Sequence, residues 1–168
     1  MKLQQQFLNQ IKEIVSNARQ RAIQSVNTER VLMYWQIGKL IFEEEQKGKD
    51  RATYGTFLIK SISNELQREL GSGFSVRQLE RCRQFYRIFP NTSALRTQFH
   101  WSHYKSLISI SNKNKRDYYI AEASKNNWSA RQLERQINSQ LFERLLLSNQ
   151  VEDVLAVARE EKYLYQIK

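Results

Sequence analysis

The stretch Gly71-Ser72-Gly73-Phe74-Ser75-Val76-Arg77-Gln78-Leu79-Glu80-Arg81 is the most informative in this chain. Its glycines close one element and its later residues open another. Ser75 can cap a helix, and Gln78 three residues on can complete a capping box. Phe74 before the cap and Leu79 at the fourth helical position form a hydrophobic staple. The spacing predicts a helix from 75 through Phe89, stopped by Pro90. Leu79, Cys82, Phe85, Tyr86 and Phe89 share its inward face. Arg77, Arg81, Gln84 and Arg87 share the other, with Arg83 at the margin. Before the glycines, Phe57, Leu58, Ile62, Leu66 and Leu70 recur at helical spacing and predict an inward face over 55–70. Helix, short Gly turn, helix is the order of a helix-turn-helix. Any two packed helices joined by a glycine turn present the same pattern.

Toward the N-terminus, Leu3, Phe7, Ile11, Ile14, Ala18 and Ala22 are spaced by threes and fours, predicting an amphipathic helix over 2–25. Docking on the chain's own core is the simpler reading of that stripe. A helix–helix or dimer seam is the other. Asn27 is a suitable N-cap for a second helix over 28–47. Its wide stripe of Val31, Leu32, Tyr34, Trp35, Ile37, Leu40 and Ile41 predicts a central core helix. Gly38 costs helix propensity there, which points to a close helix crossing. Glu43, Glu44 and Glu45 read as a solvated helix end.

Toward the C-terminus, residues 91–100 lack a period and read as loop. A short helix begins at Trp101-Ser102-His103-Tyr104 with Ser102 as cap and Tyr104, Leu107 and Ile108 buried. Asn112 caps a helix over about 113–126 that carries Tyr118, Tyr119, Ala121 and Ala123. Trp128-Ser129-Ala130-Arg131-Gln132-Leu133 opens another that runs to about Leu147. The acidic segment from Val151 to Tyr165 reads as a last amphipathic helix.

Two of these helix starts echo each other. Residues 74–81 read FSVRQLER and residues 128–135 read WSARQLER, identical at six of eight positions. Ser, Gln, Leu and the flanking aromatic are local stability devices. The arginines are not, because positive charge near a helix N-terminus is mildly unfavourable. Arg77 with Arg81, and Arg131 with Arg135, lie four apart on one face each. Backbone N–H groups and guanidinium forks at a helix start together suit phosphate. Glu80 and Glu134 are placed to tether these arginines locally.

The composition agrees with helices and with an anionic partner. One proline and five glycines in 168 residues argue against a turn-rich β protein. Lys and Arg number 27 against 17 acidic residues, a net +10. Residues 71–140 hold 12 basic and 4 acidic residues, a net +8. Nucleic acid is the first candidate for such a surface and an acidic membrane the second. No signal-peptide run and no spanning apolar window occurs, so the expectation is a cytoplasmic protein without membrane insertion. A single cysteine, Cys82, excludes an intramolecular disulfide and reads as a buried thiol. His100 and His103 are assigned to capping or packing rather than to metal. Gly71-Ser72-Gly73 lacks the Lys-Ser/Thr sequel of a phosphate-cradling loop. No strand pairs carboxylates with a lysine as a metal-dependent nuclease requires. No catalytic site, metal site or cofactor is expected in these residues.

Several blocks in order resemble one family. They are Val26-Asn27-Thr28-Glu29 leading to Tyr34-Trp35-Gln36-Ile37-Gly38-Lys39, then Tyr54-Gly55, then Gly73 to Leu79 with Phe85-Tyr86 and Phe89-Pro90. Trp101-Ser102-His103-Tyr104 and Trp128 to Ile137 follow, closing with Phe142-Glu143-Arg144. Over about residues 10–147 the chain resembles the N-terminal domain of the YhcG-like bacterial proteins. The resemblance implies a helical, DNA-binding domain that precedes a nuclease domain of the PD-(D/E)xK superfamily. It also implies that the nuclease half is absent here.

The expected architecture is all-α, six to seven helices with a helix-turn-helix-like core, winged-helix-like without an evident wing. Residues 1–148 form the domain and 149–168 a connector helix. The expected function is DNA binding that targets a nuclease domain. Arg77, Gln78, Arg81 and Gln84 are the candidate base readers, because Arg and Gln match guanine and adenine edges. Arg87 extends that face, Arg131 and Arg135 form a second cluster, and Lys113, Lys115 and Arg116 are candidate phosphate contacts. The alternatives are a protein-interaction module or homodimer through residues 2–47, and RNA binding.

Overall fold

The structure, a computed structural model, describes residues 2–48 and 51–148, with side chains over 5–48 and 53–148. Among the described residues the chain is all-α, with seven helices and no strand. They are α1 (Lys2–Glu45), α2 (Arg51–Leu70), α3 (Val76–Ile88), α4 (Trp101–Ile108), α5 (Lys113–Lys125), α6 (Ala130–Asn138) and α7 (Leu141–Leu147). Single 3-10 turns at Ser72–Phe74 and Thr92–Ala94 punctuate the connections. The expected connector over 149–168 lies outside the described residues.

The two expected N-terminal helices are one. Asn27 lies inside α1 and caps nothing. No Gly or Pro lies near it, and Asn in a helix interior costs well under about 1 kcal/mol, too little to stop a backbone ladder already running. The two halves of α1 have different surroundings. From Gln24 onward the helix meets the body: Gln24 Nε2 donates to the Thr97 carbonyl, Trp35 Nε1 donates to the Phe89 carbonyl at 2.7 Å, and Tyr34 packs on Trp101 at 4.6 Å. Residues 5–23 are exposed throughout. The stripe of Phe7, Ile11, Ile14, Ala18 and Ala22 therefore does not dock on the chain's own core.

The second half of α1 packs chiefly on α3. Gly38 makes this possible, since a Cβ there would stand 1.9 Å from the Cys82 carbonyl oxygen. Near the end of α1, Glu45 is buried rather than solvated as the carboxylate run suggests. It accepts from Arg83 of α3 at 2.5 Å and lies over Gly55 of α2, where any side chain would strike its carboxylate. Leu40, expected in the core stripe, is 67% exposed.

α2 turns a different face inward than its apolar spacing suggests. Gly55, Ile59 and Ser63 are buried, with Ile62 and Leu66 beside them, while Phe57 and Leu70 are 68% and 64% exposed. The Glu45 contact at Gly55 and the hydrogen bond from Ser63 Oγ to the Phe74 carbonyl (2.9 Å) select that face. Gly71 then takes φ +92° with ψ −176°, a positive-φ conformation open mainly to glycine, and lets the chain turn into α3.

A cluster of Phe85, Phe89, Trp101, Tyr104, Leu107, Tyr119, Trp128, Leu133 and Leu141 joins α3 to the C-terminal helices. A smaller one of Ile41, Ile59 and Leu79 joins α1, α2 and α3. The helix expected from 130 to about 147 is broken in two by Gln140, at φ +54°. The Tyr119 hydroxyl bridges the break: it donates to the Gln136 carbonyl (3.1 Å) and accepts from the Phe142 N–H (3.2 Å). A buried side chain thus satisfies backbone groups that an unbroken helix would pair internally.

Candidate nucleic-acid interface

The two echoed starts fold as their shared residues dictate, with one difference. Ser129 and Gln132 form the full capping box, Ser129 Oγ accepting from the Gln132 N–H (3.2 Å) and Gln132 Oε1 from the Ser129 N–H (2.8 Å). At the first start only half forms. Ser75 Oγ accepts from the Gln78 N–H (3.3 Å), while the Gln78 amide turns toward Cys82 Sγ. Leu79 and Leu133 are fully buried, and the staple aromatics Phe74 and Trp128 pack in their respective clusters.

The short helix α4 lies between α3 and α6 and packs on both. Its start is not capped by Ser102. His100 is the N-cap residue, and His103 Nδ1 accepts from the His100 N–H at 3.1 Å. Because Nδ1 accepts, Nε2 carries the proton and donates to the Trp128 carbonyl at 2.9 Å. His103 therefore ties the start of α4 to the start of α6. Burial holds its pKa below the usual histidine range. Gln84 ties the other end of α4 to α3, donating from Nε2 to the Ile108 carbonyl at 2.7 Å.

These ties build a groove of about 570 Å³ with α4 as its floor. Arg81 enters from α3 and Arg131 from the start of α6. Ser102, Lys105, Ser106 and Ser109 line the floor, with Glu134, Ile137 and Asn138 on the α6 side. One arginine from each echoed motif thus meets in a single concavity that holds three cations and one carboxylate. Among the described residues no ion pair ties Arg77, Arg81 or Arg131 to Glu80 or Glu134. Lys105 is missing from the sequence-derived set. Its signal was the polar row 102, 105, 106 and 109 at helical spacing, overshadowed by the apolar face of the same helix.

The other candidate residues divide. Arg77 and Arg87 are exposed on α3, outside the groove. Arg135 is half-buried. Lys113 is exposed and pairs with Asp117 at 2.6 Å. Lys115 donates to Glu143, an ion pair joining α5 to α7 that holds the Glu143 carboxyl below its usual range. Arg116 donates to the Ile110 carbonyl at 2.7 Å, beyond the end of α4. Gln78 and Gln84, read as base contacts, are occupied within the fold.

Among the described residues no three His, Cys, Asp or Glu side chains cluster as a metal site. No described helix is long and apolar enough to cross a membrane. Cys82 is fully buried, and burial pushes its thiol pKa up to about 12.

Comparison with known proteins places this geometry in a family. The chain is similar to the Putative nuclease YhcG of Escherichia coli (strain K12), 33% identical over a 177-residue alignment covering 86% of this chain and 47% of that protein. It spans about half the length of the curated relative it matches. No solved structure matches it. The DUF1016 N-terminal domain model matches residues 10–144, from the exposed half of α1 into α7, and the chain belongs to that family.

Proposed function

We propose that this domain binds DNA and presents it to a nuclease domain carried by longer members of the family. The observation that carries the reading is the meeting of Arg81, Lys105 and Arg131 in one groove floored by serine hydroxyls. Guanidinium forks and an ammonium beside neutral hydroxyl donors suit a phosphodiester backbone. Arg131 lies in the first turn of α6, so the helix start adds backbone N–H donors on the same side. α2, the turn at 71–74 and α3 act as a helix-turn-helix in this reading. α3 is the recognition helix, and its exposed Arg77 and Arg87 extend the cationic surface beyond the groove. The match to a relative named as a nuclease supports DNA as the polyanion.

The test is fluorescence anisotropy of the chain with duplex DNA, single-stranded DNA and structured RNA at several salt concentrations. Each phosphate contact contributes about −0.9 to the slope of log K against log salt. Three groove contacts give a slope of roughly −2.7, about 40-fold in affinity between 50 and 200 mM salt. Replacing Arg81, Lys105 and Arg131 together by Ala should cost at least about tenfold in affinity and flatten that slope. Unchanged binding by the triple variant overturns the groove. Preference for structured RNA over duplex DNA favours RNA binding instead.

A further inference from the structure

We infer that the exposed half of α1 pairs antiparallel with the same half of a second copy of this chain. Residues 5–23 form a helix whose side chains are all exposed, and among the described residues it docks on no part of the body. Phe7, Ile11, Ile14 and Val15 are 60%, 43%, 65% and 43% exposed on one side of it, continued by the exposed Ala18 and Ala22. In proteins most helical stability comes from packing an amphipathic face, and this face is left open to a partner.

The sequence of the arm is self-complementary in one arrangement. With a two-fold axis between residues 14 and 15, Phe7 faces Ala22 of the second copy, Ile11 faces Ala18 and Ile14 faces Val15. Large residues meet small ones, so the layers have similar volume, as close packing requires. A parallel, in-register pair would set Phe7 against Phe7 and Ala18 against Ala18, overfilling one layer and leaving the other void. The same antiparallel register separates charge. Lys12 faces Asn17, Arg19 faces Gln10, Arg21 faces Leu8 and Glu13 faces Ser16, so no cation opposes a cation.

The register also fits the length of the arm. Residue 5 of one copy falls beside residue 24 of the other, and Gln24 is where α1 first meets its own body. The overlap runs for about 30 Å at 1.5 Å per residue. Each copy offers exposed apolar side chains along this whole length. Pairing that also covers the flanking polar stems reaches roughly 1,200 Å², where specific interfaces begin. The paired molecules carry their two cationic grooves on opposite ends of the shared rod.

Sedimentation equilibrium of the chain up to about 100 µM tests this, since a self-association must depend on concentration. A dimer is expected, and Ile11→Glu with Ile14→Glu should weaken it at least 30-fold. Those side chains are exposed and lie outside the described core clusters, so the fluorescence of Trp35, Trp101 and Trp128 should not change. The direction of pairing is read by oxidising a mixture of two singly substituted chains, Phe7→Cys and Ala22→Cys. The native Cys82 is buried and stays silent. A predominant 7–22 link is expected. A monomer at the highest concentration, a dimer indifferent to the two glutamates, or a predominant 7–7 link overturns the inference.

Discussion

His103 has its ring stacked on Phe99 at 4.9 Å and both nitrogens committed to backbone groups of two helix starts. Protonation would convert Nδ1 from acceptor to donor and break the contact with the His100 N–H. Burial is the main cause of its lowered pKa. A folded-state pKa below the unfolded value means that the unfolded chain binds more protons, so stability rises with pH. The contribution is complete above the unfolded histidine value of about 6.5 and is lost as pH falls below it, by at most about 1.4 kcal/mol per unit. Thermal melts at pH 7.5 and 5.5 should show the loss, and His103→Gln should remove this part of it. Carboxylates such as Glu143, whose pKa is lowered by Lys115, lose their contributions only at lower pH, which keeps the two steps apart. At this scale the sequence is partly legible. The spacing of His100 and His103 with no acid nearby points to capping or packing. The partner of His103, the carbonyl of Trp128, is 25 residues away and is brought close only by folding. Glu45 is misread for the same reason, because Arg83 lies 38 residues on.

At the level of helices, local signals are read well where they are strong. Ser75, Asn112 and Ser129 cap the helices they are expected to cap, each accepting a backbone N–H. These are contacts over three residues, and the side chain and its target are set by sequence alone. The boundaries misread are those where a local preference is weak against its surroundings. Asn27 is a good cap in isolation but stands in an uninterrupted helix. Residues 130–147 have helical spacing throughout, and the break at Gln140 is held by a tyrosine from another helix. Gly38 is the position where the two levels can be weighed. Ala is favoured over Gly in a helix by about 1 kcal/mol. Against that, its Cβ would stand 1.9 Å from the Cys82 carbonyl oxygen, a backbone atom that cannot swing away. Gly38→Ala should therefore destabilise by about 3 kcal/mol or more, as overpacking does in tight interfaces, measured by denaturant unfolding.

The described residues form a helical body of α2 to α7 with the second half of α1, and an arm made by the first half. Body and arm share one helix but not one core. Removing residues 2–23 should leave the tryptophan fluorescence and groove of the body intact. The thermal midpoint should lose its dependence on protein concentration, because the self-associating surface is gone. If the groove binds DNA as proposed, affinity per groove should be unchanged by this truncation, while Ala substitutions at Arg81, Lys105 and Arg131 should lower binding and leave the self-association unchanged. The two surfaces are thus separable by experiment. Composition, helical spacing and capping residues were enough to determine the all-α character of the described residues, the starts of most of their helices, the close crossing at Gly38 and the basic character of residues 71–140. Those properties depend on groups within a turn or two of one another, or on sums that ignore position. Which arginines share a groove, that Lys105 joins them, and that the first apolar stripe is left uncovered were decided by packing. Each depends on how far α4 separates α3 from α6 and on where α1 leaves the body, and only the folded contacts between distant segments set those distances.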